Sequence, residues 1–85
     1  MANARLIFIY LEIHLLSTSE QRVLRTFRKF LVTPGEMLCF SGPELEQEKA
    51  ALDLLIDKEL LFKEMFNGGY SLTHSGFAAM NECEN

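Results

Sequence analysis

The residues that could act on something outside this chain are its charges, and the two signs are segregated. Glu46, Asp53 and Asp57 stand seven and four residues apart. On a helix that spacing puts all three carboxylates along one flank, spanning about 16 Å at about 1.5 Å per residue. Such a row can dock lysines and arginines, or it can simply be a solvated helix face. Residues 43–60 hold six acids against two lysines, which is the whole of the net charge of −4. Upstream, Arg22, Arg25 and Lys29 recur at helical spacing with Arg28 beside them. That basic face suits phosphates, the acidic flank of a second copy, or water.

The remaining reactive groups point to no chemistry. His14 and His74 are far apart, and Cys39 and Cys83 do not bring nitrogen and sulfur donors into metal-binding spacing, so no metal or other cofactor is expected. Ser71, His74 and Ser75 are local in sequence without a nucleophile turn, so no catalytic residue is assigned and no enzymatic activity is expected. Asn67-Gly68-Gly69 lacks the lysine and the helix start of a phosphate loop and reads as a hairpin turn.

With 85 residues, 48% of them apolar and seven of them Phe, the chain suffices for one small domain with a real core. The two cysteines, in no redox spacing, read as free thiols, and the chain is placed in the cytoplasm. The apolar run Leu6–Leu16 is interrupted by Glu12 and His14, lacks a small-residue cleavage site and is too short to span a bilayer, so no membrane or targeting segment is read.

These charges need elements to hold them. Residues 5–16 fit a strand, with Ile7, Ile9, Leu11, Ile13 and Leu15 on one face and Tyr10, Glu12 and His14 on the other. As a helix the run would be apolar nearly all round and would need a second subunit to bury it; the β-branched content favours the strand. Its polar face could pair with itself to make a homodimer through residues 5–16, or be buried against the hairpin over 62–70. A helix is expected over 18–32, opened by a capping box of Ser17 with Glu20 or Thr18 with Gln21. Its core stripe is Val23, Leu24, Phe27, Phe30 and Leu31, and Pro34-Gly35 ends it. Met37–Phe40 reads as a strand at the sheet edge. Ser41 or Gly42 should cap a second helix with Pro43 at its first position, cored by Leu45, Leu52, Leu55 and Ile56 and ending near Glu59. Leu61–Phe66 then turns through Asn67-Gly68-Gly69 into a hairpin. Thr73 caps a last short helix with Phe77, Ala78 and Met80, which Gly76 lets pack closely. The tail 81–85 should fray.

The ending Tyr70-Ser71-Leu72-Thr73-His74-Ser75-Gly76, behind a hairpin and behind Ala50–Leu61, resembles the winged helix-turn-helix superfamily, in particular regulators of the multiple-antibiotic-resistance and phenolic-acid-repressor types. The resemblance covers about residues 17–80. It implies an α+β, winged-helix-like domain over the whole chain: two main helices, a short C-terminal helix and a small antiparallel sheet. It implies a recognition helix over 43–59, a wing over 62–70, Leu72 in the core and Thr73 as a cap. Two departures stand out. Only one helix of normal length fits between Leu31 and the wing, and Glu59 stands where the family commonly has a helix-ending glycine.

The would-be recognition helix is acidic, and acids facing phosphates repel them. The expected function is therefore a non-enzymatic accessory or antagonist factor, of the kind a mobile element encodes. It would set Glu46, Asp53 and Asp57 against a protein partner with a basic surface. The alternative is a dimeric DNA-binding transcriptional regulator using Arg22, Arg25, Arg28, Lys29 and Lys63.

Overall fold

The structure is a computed structural model that describes residues 16–83. The strand-or-helix alternatives for residues 5–16, with the dimer contact assigned there, lie outside the described residues except for Leu16, which is buried. The architecture is α+β. Its elements run α1 (Thr18–Lys29), β1 (Met37–Cys39), α2 (Gly42–Asp57), β2 (Leu61–Lys63), β3 (Gly69–Leu72) and α3 (His74–Glu82). The three strands form one antiparallel sheet in the order β1-β3-β2, so β1 is an edge as expected.

Local chemistry starts α1. The Ser17 hydroxyl accepts from the Glu20 N–H (3.2 Å), and the Glu20 carboxylate accepts from the Ser17 N–H (3.0 Å), which completes a capping box. The helix stops three residues before the expected end. Proline at 34 would set its ring against the Phe30 carbonyl of a continuing helix, and it drives Thr33 out of the helical region. The chain therefore turns at Leu31, whose φ is 56°. The Leu31 N–H donates to the Arg28 carbonyl (3.0 Å) and the Val32 N–H to the Phe27 carbonyl (3.1 Å). This is a Schellman closure, with Val32 and Phe27 making its buried apolar contact. Phe30 and Leu31, expected in the core stripe, are consequently exposed, and Val32 takes their place.

The same closure recurs at the end of α2, two residues before the expected boundary. Glu59 has φ 62°, its N–H donates to the Ile56 carbonyl (2.9 Å), and the Leu60 N–H donates to the Leu55 carbonyl (2.9 Å). Glu59 occupies the left-handed turn that glycine would fill more comfortably. At the other end of α2, Ser41 is the N-cap residue but its side chain makes no capping bond, and Pro43 sits one place inside Gly42.

The Leu72-Thr73-x-x-Gly76 sequence clasps the end of α2. Leu72 is buried. Thr73 Oγ1 accepts from the Gly76 N–H (2.9 Å) and lies within hydrogen-bonding reach of the Glu59 (2.8 Å) and Leu60 (3.1 Å) carbonyls. Any side chain on Gly76 would collide with the Leu60 carbonyl oxygen. The tail expected to fray does not begin at residue 81: α3 continues to Glu82, and Cys83 is buried.

The core lies between the helices and one face of the sheet. Leu24, Phe27, Leu52, Leu55, Leu60, Tyr70 and Leu72 fill it. Phe40 links the layers, 5.9 Å from the Phe27 ring and 6.0 Å edge-on from Tyr70. The hairpin is shorter in strand than expected: β2 stops at Lys63 and residues 64–68 form the connection. Gly68 has φ 81°, and a side chain there would strike the Phe40 carbonyl.

Candidate partner-binding surface

Glu46, Asp53 and Asp57 all sit on α2, and all three are exposed. None makes an ion pair with a described residue. The acids of the expected flank are therefore on the surface. Burial raises the Tyr70 hydroxyl above its ordinary range, and the nearby Asp53 charge adds to the shift.

Other acids of the same region have a different role. Glu48 turns towards α1 and receives Arg22 as a fork, Nε to Oε1 at 3.2 Å and Nη2 to Oε2 at 3.3 Å. Lys58 Nζ reaches back to Glu20 Oε2 at 2.7 Å, where the Glu20 side chain is only 3% exposed. Burial opposes ionisation of Glu20, but the Lys58 ammonium and the Ser17 hydrogen bonds outweigh it, so its carboxyl stays below the usual range. These two ion pairs tie α1 to α2. Sequence reasoning missed both, because the partners stand 26 and 38 residues apart and no local spacing signals them.

The cations assigned to nucleic acid are divided. Arg22 is held by Glu48, and Arg28 donates to the Cys83 carbonyl. Arg25 donates to Gln21 Oε1 at 3.4 Å. With Thr26, Lys29 and Leu31 the three arginines line an open depression of about 600 Å³ along α1. Lys63 is exposed on β2. Four of the five thus share one depression along α1, and Lys63 is not among its lining residues.

The two thiols differ in exposure, Cys39 lying on the surface and Cys83 inside. Cys39 and Cys83 are both free, as read from the sequence. Burial pushes the Cys83 thiol up, with Arg25 and Arg28 acting the other way and Glu82 adding to the rise, so it is a packing group. His74 is exposed in the first turn of α3. Among the described residues no cluster of His, Cys, Asp or Glu is arranged to hold a metal ion. Among the same residues no helix is long and apolar enough to cross a membrane.

Comparison with known proteins adds no relative: no family model matches this sequence, and no curated protein or solved structure matches it.

Proposed function

We propose that this chain is a non-enzymatic winged-helix module of the cytoplasm that binds another protein. It sets the exposed flank of α2 against a basic surface, with a steric outcome: whatever that surface would otherwise hold, nucleic acid included, is displaced. One observation carries the reading. Glu46, Asp53 and Asp57 are presented to solvent without ion-pair partners among the described residues, while the arginines that would serve DNA are already engaged by Glu48, Gln21 and the Cys83 carbonyl. The order helix, strand, helix, hairpin, helix supports the winged-helix assignment, as does the physical role of each position in Leu-Thr-x-x-Gly. With a carboxylate row in the reading position, approach to a phosphate backbone is unfavourable at any salt concentration.

The test uses the whole chain as bait in an extract of its native host, beside the variant carrying Glu46→Lys, Asp53→Lys and Asp57→Lys. A partner retained by the first and lost by the second supports the reading. Equal retention rules out this surface. An anisotropy titration with generic duplex at low salt addresses the rival regulator. Tight binding that collapses as salt rises would move the assignment to DNA.

A further inference from the structure

A second surface of this molecule is unusual for a different reason. Strand register sets Met37 and Phe62 on either side of Ser71, on the face of the sheet opposite Leu61, Tyr70 and Leu72. Ser71 is buried there and donates to Glu64 Oε2 at 2.5 Å, so the polar centre of that face is satisfied. The Met37 sulfur occupies the space into which a side chain on Gly69 would project. The Gly69 N–H donates to the Phe66 carbonyl (2.9 Å), which brings the hairpin connection alongside. Met37 and Phe62 share that face, Met65 and Phe66 follow in the connection that the Gly69 bond draws alongside, and the four are 46%, 60%, 105% and 65% exposed. At about 200 Å² for a fully exposed Phe or Met, they leave on the order of 500 Å² of apolar surface in water.

We propose that a second copy of this chain covers that patch, face to face about a two-fold axis. Charge selects this occupant. The patch carries one carboxylate, Glu64, already held by Ser71, and register sets Lys63 level with Tyr70, on the other face of the sheet. Two copies therefore meet there without the repulsion that α2 would impose on a pairing through its own flank. Area agrees: two such patches bury about 1,000 Å², the lower bound for a specific interface, which implies a weak dimer. An isologous contact also needs a patch that suits itself, and a cluster of Met and Phe does. The dimer leaves the acidic flank of each copy outward and so offers a partner two flanks in place of one.

Sedimentation of the full chain from about 1 µM to about 1 mM tests this, at low salt and at about 0.5 M salt, where exposed charges are largely screened. The expected result is a monomer–dimer equilibrium that salt leaves unchanged or strengthens. Phe62→Glu with Phe66→Glu should lower the association constant at least tenfold. Phe30→Glu, an exposed apolar site on another side of the molecule, should leave it unchanged. Far-UV circular dichroism checks folding; should the double variant unfold, Met65→Glu at the fully exposed position replaces it. A monomer throughout the range overturns the proposal. So does a dimer indifferent to these glutamates, including one joined through residues 5–15.

Discussion

The helices α1 and α2 lie against each other, and their surface charges have different fates. On α1 the arginines are engaged: Arg22 with Glu48, Arg25 with Gln21, Arg28 with the Cys83 carbonyl. On α2 the acids divide. Glu48 faces α1 and closes an ion pair, whereas Glu46, Asp53 and Asp57 face water. Charge sign alone would have offered either helix as a binding face. Engagement separates them, because a charge already paired must lose its partner before it can take another, and an exposed unpaired one need not. The patch on the far side of the sheet makes a third case, since it is set apart by apolar exposure rather than by charge.

The contrast between engaged and free charges is broken most severely at Glu20. Glu20→Ala leaves the Ser17 N–H without its acceptor and Lys58 without its counter-charge in a nearly closed site, and should cost about 3 kcal/mol in chemical denaturation. The sign of its pH dependence follows. A carboxyl depressed in the folded state contributes stability above its unfolded value, near pH 4.3, and that contribution is lost as pH falls through the folded value. Wild-type stability should therefore drop in acid below about pH 4.3, and Glu20→Gln should flatten that limb.

Glu59→Gly sharpens the picture from the backbone side. Removing the side chain at φ 62° should raise stability by about 1 kcal/mol, less the entropy that glycine loses on folding. Leu31→Gly should behave alike, and thermal melts of the two variants compare them directly. Arg22→Ala should cost only about 0.5 kcal/mol, because half of that side chain is in water and the pair is screened. Smallest of all, the triple Lys variant of Glu46, Asp53 and Asp57 should change stability by less than about 0.5 kcal/mol, with relief of the Asp53–Asp57 repulsion in its favour. A large loss from that variant would show those acids to be structural, and the distinction between the two helices would fail.

Features with short-range causes were legible in advance. The Ser17–Glu20 box, one of the two the sequence offered, the Thr73 cap and the close approach at Gly76 each depend on residues a few places apart or on the size of one side chain. The acidic flank was legible too, since helical spacing alone sets it. The end of α1 was misjudged because Phe30 and Leu31 continue the apolar rhythm. Pro34 stops the helix first, and the Schellman turn buries Val32 in their stead. The hairpin was taken as strand up to Phe66, and the early end of β2 is what leaves Met65 and Phe66 in the open.

Sequence by itself determined the elements, their caps and the sign of each surface, because propensity, capping and periodicity act within a turn or two of the chain. Only the tertiary structure decided which charges pair among the described residues and which face water there. Arg22 finds Glu48 and Lys58 finds Glu20 through the packing of α1 on α2. It also decided which apolar residues stay in water, since a side chain is buried only where another element arrives to cover it.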